Sequence, residues 1–323
     1  MGQACRSLDT PISPFSSSSA APRSGEGRES EAAPVVVTIA HNSNAVLPAL
    51  AADLARQSRR PVAWLVVDNS PLSAPLAAVP LRQAGLPLRV LTGVEGDGFG
   101  AGCNRAFELL AAEGWQGWVW LLNPDTALPR GDELAALQAQ LAALPAVALV
   151  GTAVEDGAGG LEASGGWIDP GLRFRRRRIG AGQALLTGPL ALDWLSGCSL
   201  ALRPGDHRPP LRFDERFPLY YEDMDLCLRQ RLRGVPVLWL PSPRVLHRRG
   251  TGSAGPGPRR HHLSSLGYLR FVRRHCPAWV FALRAVRLMV LSLLRLPLQP
   301  HRSLAALDAL AMVLFEGLRG VPA

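Results

Sequence analysis

Stretches of hydrophobic residues alternate with amphipathic segments from about residue 34 to residue 150. The run 35–40 is continuous and mostly β-branched, which is typical of a strand buried on both faces of a sheet. The apolar residues after it recur at helical spacing, so we expect a helix capped by Asn44, with Pro48 in its first turn. Further strands are predicted at 62–67, 88–91, 118–122 and 146–150, and further helices at 100–113 and 132–144.

Strands and helices that alternate at these lengths predict parallel strands joined by right-handed crossovers. Ligands of such sheets bind beyond the carboxyl ends of the strands. In this chain polar residues occupy those ends, at 41–42, 68–69, 93–102 and 123–125. The sequence therefore predicts an α/β fold with a mostly parallel central sheet and a ligand site at one edge.

Beyond residue 150 the alternation weakens. The stretch 151–160 is rich in glycine and is predicted to be a loop, whereas 195–202 and 235–240 are predicted strands. A helix is predicted between them over 222–233, because one apolar stripe there has helical spacing. The stripe consists of Met224, Cys227, Leu228 and Leu232.

Composition also separates the two ends of the chain from its middle. Residues 1–33 are rich in Ser, Ala, Arg and Glu and lack the apolar core of a signal peptide, so we expect a disordered leader there and one main domain over 34–255. The region 256–323 is predicted to be helical and is rich in Arg and Leu. It either packs on the main domain or a second subunit, or lies on an anionic membrane surface.

Overall composition narrows the class of protein. The 323 residues are 47% hydrophobic, as in globular proteins. The sequence contains no run of about 18 uncharged apolar residues, which argues against a polytopic membrane protein. The formal net charge is +9 and every basic residue is arginine, which favours polyanionic partners such as nucleotides, anionic lipids or nucleic acid. The five cysteines are scattered, which argues against a disulfide framework or zinc site and favours a reducing compartment.

Two aspartates close buried strands. Asp125 follows the strand 118–122 and a stiffening Pro124, so its carboxylate suits a hard cation such as Mg²⁺ or Mn²⁺. Asp68 is placed to accept hydrogen bonds from a ribose or a base. For both residues the alternative is ordinary turn chemistry or helix capping.

Glu222 and Asp223 fall at the N-terminus of the predicted helix, where the macrodipole stabilises carboxylates. Two tyrosines precede them and would border a pocket, so these carboxylates are candidates for a general base. The alternative is an acidic helix cap. We expect Asp225 to pair with Arg229, one helical turn further on.

The glycine-rich loop and a histidine complete the set of candidates. The loop 96–102 contains the pattern G-x-G-x-x-A, but it opens the third βα unit, which disfavours an NAD-binding fingerprint. Glycines before a helix still suit a diphosphate, and Asn104 lies in the first turn of that helix. His247 stands beside Arg248 and a glycine-rich segment, which suits a metal and a phosphate, although a lone histidine is most often structural.

In their order along the chain, these segments resemble the family 2 glycosyltransferases with a GT-A fold, especially the rhamnosyltransferase-like branch. The resemblance covers residues 35–255 and rests on short motifs, each weak alone. The motifs are 37–42 (VTIAHN), 67–70 (VDNS), 98–104 (GFGAGCN), 121–126 (LLNPDT), 194–198 (WLSGC), 213–217 (FDERF), 221–226 (YEDMDL), and His247 with Gly250 and Ser253.

The resemblance implies one catalytic domain with a nucleotide-binding half over about 34–150 and an acceptor half over about 151–255. It implies an inverting transfer in which Asp223, with Glu222 beside it, acts as catalytic base. It also makes Asp125 and His247 the ligands of a divalent cation, Mg or Mn. The residues expected to bind the nucleotide-sugar are Thr38, Asn42, Asp68, Asn69, Gly98, Gly100, Asn104, Asn123 and Arg248.

The partners implied by the resemblance are a nucleotide-diphosphate sugar, with dTDP-rhamnose as first candidate, and a cell-surface glycan or lipid-linked acceptor. We expect a cytoplasmic protein that contacts the inner face of the plasma membrane. Oligomeric state is left open.

Three alternatives are weighed against this interpretation. A sugar nucleotidyltransferase would need a glycine- and basic-rich loop after the first strand, where the chain has His41 and Asn42 instead. A non-catalytic sugar-binding relative is disfavoured because Asp125 and Asp223 are both retained. A nucleic-acid-binding protein could use the arginine cluster 173–178, but no compact RNA or DNA motif accompanies it, and we expect no nucleic-acid partner.

Overall fold

The computed structural model describes residues 33–162, 164–168, 176–180, 186–248 and 257–319. The expected leader therefore lies outside the described residues, as do the first arginines of the cluster 173–178 and Gly250 and Ser253 of the last motif. The predicted division of the chain into three parts stays a prediction.

The predicted strands and helices occur in the predicted order through residue 150, and the structure adds a short helix after the second strand and a two-residue strand after the fourth. The strands are β1 (Val35–Ala40), β2 (Trp64–Asp68), β3 (Leu88–Thr92), β4 (Val119–Leu122), β5 (Thr126–Ala127), β6 (Leu149–Glu155), β7 (Gly165–Ile168), β8 (Arg176–Arg178), β9 (Leu190–Ala191), β10 (Trp194–Leu195), β11 (Ser199–Leu202) and β12 (Val237–His247). The helices are α1 (Leu47–Ala55), α2 (Ala78–Arg82), α3 (Phe99–Ala112), α4 (Glu133–Leu141), α5 (Glu222–Arg231), α6 (Pro258–His275), α7 (Ala278–Arg295) and α8 (Pro300–Leu318).

The described strands build one large sheet and one small sheet. The order in the large sheet is β3-β2-β1-β4-β11-β6-β12-β5, with β9 paired to β12, and the small sheet has the order β10-β7-β8. β1 pairs in parallel with β2 and β4, and β2 pairs in parallel with β3, which confirms the predicted parallel core. β11 inserts antiparallel between β4 and β6, and β12 runs parallel to β6.

The predicted N-cap of α1 is wrong. Val46 occupies the N-cap position, and the helix has no side-chain cap. The Asn44 side chain instead donates to the carbonyl oxygen of Pro75 and accepts from the backbone N–H of Ala77. Asn44 thus fastens a neighbouring loop, while Pro48 lies in the first turn of α1 as predicted.

Three predictions in the second half also need correction. The stretch 151–160 is not a loop throughout, because β6 continues to Glu155 between β11 and β12. The predicted strand 195–202 is two strands, separated by a turn at 196–198. Leu232 is 84% exposed, because α5 ends one residue before it and the apolar stripe turns away from the core there.

Helices cover both faces of the large sheet. Alternate residues of β1 face opposite sides, so Val35, Val37 and Ile39 pack with α3 and α5, whereas Val36 and Ala40 pack with α1 and α4. Three fully buried tryptophans within this core donate their indole N–H to buried hydroxyl groups, which satisfies polar atoms without water. The pairs are Trp64 with Thr38, Trp120 with Ser199, and Trp239 with Ser164.

The helix α6 is fastened to α5 by a buried carboxylate. Asp225 is fully buried and accepts from Arg229 at 2.7 Å, which confirms the predicted pair. Asp225 Oδ1 also lies 2.8 Å from His275 Nε2 and 3.3 Å from an Arg274 nitrogen, both at the end of α6. Of the two expectations for the C-terminal region, packing on the main domain is therefore correct for α6.

The helices α7 and α8 pack on α6 through a small apolar cluster of their own, which includes Leu269, Ala309 and Val313. Their other sides expose many large apolar side chains. None of the helices in the described ranges is long and apolar enough to cross a membrane.

Candidate active site

The carboxyl ends of β1 and β2 meet at one edge of the sheet. Ala40 pairs with Asp68, and the Asn69 backbone N–H donates to the Ala40 carbonyl oxygen at 2.8 Å. Asn42 follows in the left-handed region, with φ of 52°, and its backbone N–H donates to Ser70 Oγ at 2.9 Å. The exposed Asn42 side chain thus lies at the edge where a ligand is expected.

Asp68 organises the loop that follows β2. Its Oδ1 accepts from the Ser70 backbone N–H at 3.0 Å, and its Oδ2 accepts from the Leu76 backbone N–H at 2.8 Å. The turn chemistry weighed for Asp68 is therefore present. A carboxylate has about four lone-pair sites, so a contact with the nucleotide stays a prediction alongside this role.

Asn69 joins the end of β2 to the glycine-rich loop. Its side chain is buried, and Nδ2 donates to the carbonyl oxygens of Asp97 and Gly98 at 3.2 and 3.3 Å. A side chain at Gly93 would collide with the Asn69 amide. Asn69 therefore acts on the site by holding the loop in place.

The glycines at the start of α3 allow the helix to approach the second half of the domain. A Cβ atom at Gly98 would overlap the carbonyl group of Pro218, and one at Gly100 would lie 2.8 Å from Phe213 Cβ. Their observed role is close backbone packing, and their predicted contact with a diphosphate remains to be tested.

The Asn104 side chain is hydrogen-bonded where α3 packs against the segment 213–215. Its Nδ2 donates to the Phe213 carbonyl oxygen at 3.0 Å and to Glu215 Oε1 at 2.8 Å, and its Oδ1 accepts from the Phe213 backbone N–H at 2.9 Å. With both amide hydrogens used, Asn104 fixes the segment 213–215 against α3. Its predicted role at the nucleotide would have to act through that segment.

The two predicted metal ligands come together in space. β5 begins directly after Asp125 and pairs antiparallel with β12, which places His247 opposite Thr126. His247 Nε2 lies 3.2 Å from Asp125 Oδ1. The Arg248 backbone N–H also donates to the Asp125 carbonyl oxygen at 2.9 Å, while the exposed Arg248 side chain stands at the same edge.

Glu162 completes this pair and was not predicted from the sequence. Its Oε2 lies 2.8 Å from His247 Nδ1, so the ring is held with Nε2 toward Asp125. Burial acts to lower the pKa of His247, but hydrogen bonds and charges of Asp125 and Glu162 outweigh it and raise the pKa. A carboxylate behind a histidine is the usual way to orient a metal-binding imidazole.

The donor atoms of this trio suit a divalent cation, since carboxylate oxygen and imidazole nitrogen are ligands of Mn²⁺ and related ions. As arranged, His247 bonds directly to both carboxylates, and the described residues contain no ready-made cluster of three or more His, Cys, Asp or Glu in metal-binding geometry. Asn123 stabilises the turn before β5 through its carbonyl oxygen, which accepts from the backbone N–H and the side-chain hydroxyl of Thr126.

Asp223 lies close to the turn that carries Asp125. Its Oδ2 accepts from the Gly197 backbone N–H at 2.9 Å, and its Oδ1 accepts from the Met224 backbone N–H at 2.7 Å. The next residue along, Cys198, accepts from the Asn123 backbone N–H at 3.1 Å. The turn 196–198 therefore links both acidic motifs, and the two carboxylates belong to one region of the surface.

Glu222 differs from its neighbour because it points into the protein. The side chain is buried, and its Oε2 has no hydrogen-bond partner among the described residues. Burial, together with the charge of Asp223, raises the pKa of Glu222 well above its ordinary value. This carboxyl group lies in the core near Cys103, and a catalytic role for Glu222 stays a prediction.

Strained backbone precedes α5. Tyr220 and Tyr221 both lie in the left-handed region, with φ of 65° and 70°, which non-glycine residues seldom adopt. The C-terminal helix α6 supports them from behind, because Gly267 lets it pack against the carbonyl oxygens of Leu219 and Tyr220. Conformations of this cost are retained where the surroundings enforce them, often at functional sites.

Thr38 requires a correction. Its hydroxyl is fully buried inside β1 and accepts from the Trp64 indole N–H at 3.0 Å. The side chain belongs to the interior of the sheet and is not available to a ligand at the edge. Position 38 lies inside the predicted run 35–40 and not past its end, in agreement with this burial.

A family model described as glycosyl transferase family 2 matches residues 35–192. Two curated relatives are the N-acetylglucosaminyl-diphospho-decaprenol L-rhamnosyltransferases of Mycobacterium tuberculosis strains CDC 1551 / Oshkosh and ATCC 25618 / H37Rv. Each is 29% identical over 281 residues, which cover 77% of this chain and 87% of the relative. The rhamnosyltransferase WbbL of Escherichia coli strain K12 is 36% identical over 56 residues, 17% of this chain and 21% of that protein.

Among solved structures, that of GalNAc-T7 with UDP, GalNAc and Mn²⁺ matches with a TM-score of 0.53 at 13% identity, covering 76% of this chain and 48% of that chain. This similarity concerns the fold, and it agrees with the expected mostly parallel sheet followed by C-terminal helices. The fold, the ordered motifs and the related sequences lead to one conclusion. The chain is a glycosyltransferase with a GT-A fold; its residues 35–192 match the family 2 model, and its sequence is similar to rhamnosyltransferases.

Proposed function

We propose that the protein transfers a sugar, with rhamnose as first candidate, from a nucleotide diphosphate to a lipid-linked glycan acceptor with inversion at the anomeric carbon. The observation that carries the proposal is the link between the Asp223 and Asp125 motifs through the turn 196–198. Because of this link, the candidate base Asp223 would lie near the candidate diphosphate site at Asp125. The activity for which the mycobacterial relatives are named supports the choice of sugar and acceptor.

The donor would lie along the carboxyl ends of β1, β2 and β4. Asn42 and Asp68 are suited to the nucleoside, because amide and carboxylate groups there can bond a ribose or base. Arg248 is suited to the diphosphate, since a guanidinium donates paired, charge-assisted hydrogen bonds to phosphate oxygens. dTDP-rhamnose is the first donor to test.

Asp125 and His247 would hold a divalent cation, Mg²⁺ or Mn²⁺, with Glu162 orienting the imidazole ring. When bound, such an ion neutralises charge on the diphosphate leaving group. Opening the contact between His247 and Asp125 is the rearrangement that this role requires. The match to the family 2 model and the donor atoms support the assignment.

Asp223 would act on the acceptor. Two backbone N–H groups hold its carboxylate, so one lone pair can face an incoming hydroxyl while the orientation stays fixed. Asp223 removes the hydroxyl proton as the acceptor oxygen attacks the anomeric carbon, and the nucleotide diphosphate leaves from the opposite face. The new C–O bond forms as the bond to the diphosphate oxygen breaks.

A lipid-linked acceptor would be met at a membrane, so we propose a cytoplasmic enzyme that contacts the inner leaflet. The exposed apolar side chains of α7 and α8 support such a contact. Adding anionic vesicles should sediment the intact chain, and a chain truncated after Cys276, which keeps α6 and lacks α7 and α8, should remain in the supernatant. Equal sedimentation of the two would refute the contact.

The central test compares Asp223→Asn with the intact enzyme. A panel of nucleotide sugars with a polyprenyl-diphosphate-linked acceptor, with and without Mn²⁺, should identify one productive donor. Asn cannot accept the proton, so we expect transfer to fall at least about a hundredfold while donor affinity changes little.

The exposed Asp132→Asn, at the start of α4 on the sheet face opposite α5, serves as the matched control and should retain full activity. Normal turnover by Asp223→Asn would refute the assignment of the base. Absence of transfer with every donor and acceptor in the panel would count against the proposed reaction itself.

A further inference from the structure

A cavity of about 430 Å³ lies between the three C-terminal helices, apart from the site described above. Four arginines line it from α7 and α8, and His261 of α6 joins them. No aspartate or glutamate is among the described residues that line it. The arginines are Arg284, Arg287, Arg295 and Arg302.

Basic residues far outnumber acidic residues in this region. Residues 257–319 contain ten arginines and only two acidic residues, Asp308 and Glu316. Both acids are used elsewhere, because Asp308 lies 3.2 Å from His262 and Glu316 pairs with Arg270. The cavity is therefore a concentrated positive site.

Two further features make the cavity suited to an anion. The N-terminus of α8 lines it at Gln299, Arg302 and Ser303, where the helix macrodipole favours negative charge. His261 has its pKa lowered by burial and by the charge of Arg302, so the ring is neutral near pH 7 and adds hydrogen-bonding capacity without more repulsion.

One side of α7 is apolar and exposed. Its members are each 43% to 71% exposed and recur at intervals of three and four residues, with Arg287 between this face and the cavity side of the helix. They are Trp279, Leu283, Val286, Val290, Leu293 and Leu294. We call this surface the α7 face.

We propose that the cavity binds the phosphate group of an anionic lipid while the α7 face enters the acyl region of the same leaflet. Guanidinium groups pair with phosphate oxygens in bidentate fashion, so a cavity lined by several arginines suits a phosphate group. A helix with arginines on one side and Trp and Leu on the other lies in the plane of a membrane interface. The inference extends the proposed membrane contact and does not depend on the donor sugar.

The first test measures cosedimentation with vesicles of phosphatidylcholine alone and of phosphatidylcholine with phosphatidylglycerol. The intact chain should bind only the anionic vesicles. The double variant Arg287→Ala/Arg302→Ala should bind about tenfold more weakly, because each basic residue at an anionic surface adds to the attraction. The control Arg82→Ala/Arg130→Ala removes equal charge from exposed positions of the main domain and should bind as the intact chain does.

Equal weakening by both double variants would show that only net charge matters and would overturn the cavity as a specific site. Thermal unfolding checks that the cavity variants remain folded. Because removing neighbouring arginines relieves repulsion, their melting temperature should not fall.

The second test separates a lipid phosphate from a free one. Leu294→Gln should weaken binding to anionic vesicles, whereas Leu72→Gln, at a similarly exposed position of the main domain, should not. Pyrophosphate alone is then added in a thermal-shift measurement. A strong stabilisation that the cavity variants abolish, together with normal vesicle binding by Leu294→Gln, would identify a soluble phosphate ligand and refute the lipid.

Transfer to a water-soluble acceptor without vesicles keeps the two proposals apart. The cavity variants should match the intact enzyme in that assay. If vesicle binding fails while transfer persists, the inference about the cavity is wrong and the proposed reaction stands. If transfer fails for every form while vesicle binding follows the pattern above, the reverse holds.

Discussion

Three acidic residues within one turn of α5 have three different environments. Asp223 is half-buried and held by two backbone N–H groups, which suits a base. Glu222 is buried, and burial and the charge of Asp223 raise its pKa. Asp225 is buried and paired with Arg229 and His275. Within this short motif, Asp223 is the candidate base, Glu222 belongs to the core, and Asp225 joins α5 to α6.

The environment of Glu222 leads to a prediction about pH. Its pKa in the folded protein is raised above the ordinary value of 4.5, so ionisation favours the unfolded chain. The stability contributed by the neutral group is complete below pH 4.5 and is lost as pH rises toward the folded pKa. In Glu222→Gln the group cannot ionise, so its melting temperature should rise relative to the intact protein between pH 5 and pH 8.

The same variant separates packing from catalysis. Because Gln resembles the neutral carboxyl group, Glu222→Gln should retain transfer activity, and the exposed control Glu95→Gln should change neither activity nor the pH dependence of melting. A folded Glu222→Gln protein without activity would show that Glu222 takes part in the reaction.

Glu162 illustrates what reasoning from residues could not reach. Asp125 follows β4 and His247 is the last residue of β12, so strand ends and ordered motifs were enough to bring them together as candidates. Glu162 lies near an isolated bridge after β6 and has no motif around it. Its contact with His247 arises from how β6 and β12 pair, which the sequence does not display.

At the scale of elements, helix α6 supports the backbone at the start of α5. The strained pair Tyr220 and Tyr221 lies against α6, where Gly267 leaves no space for a side chain. Tyr221 also packs on Tyr268 and Phe271 of the same helix. The position of Asp223 thus depends on a helix outside the family-model region.

This support can be tested with two glycine substitutions inside helices. In Gly267→Ala the new Cβ atom would lie 2.8 Å from the Tyr220 carbonyl oxygen, so we expect α6 to shift, unfolding free energy to fall by about 1–3 kcal/mol, and kcat to fall more than donor affinity. Denaturant unfolding and steady-state kinetics measure the two effects.

Gly317→Ala in α8 is the matched control. Its Cβ atom would make ordinary contacts at 3.5 Å with Arg273, so higher helix propensity should leave the protein equally or slightly more stable and fully active. If both variants behave alike, α6 does not position the catalytic loop.

At the scale of the whole molecule, one buried charge joins the C-terminal helices to the main domain. Asp225 is fully buried, and His275 and Arg274 reach it from α6. Removing a single partner from a buried network leaves the others without compensation, which is costlier than losing a surface pair.

We therefore expect Asp225→Asn to lower the free energy of unfolding by about 3–5 kcal/mol in denaturant titrations. The exposed pair of Asp308 with His262 provides the comparison, because Asp308→Asn should cost less than about 1 kcal/mol. Similar losses for the two variants would mean that Asp225 does not hold the two parts together.

The sequence by itself determined the order of the main strands and helices to residue 150, although not α2 or β5, and it determined the parallel core and the strand ends near Asp68 and Asp125, because hydrophobic periodicity and strand polarity are local properties. Tertiary structure decided which carboxylates point into the core, how β11 enters between β4 and β6, and which segments the side chains of Asn69 and Asn104 bind. Those outcomes depend on burial and on contacts between residues far apart in the chain. Such contacts form only when the sheet closes and its two halves pack together.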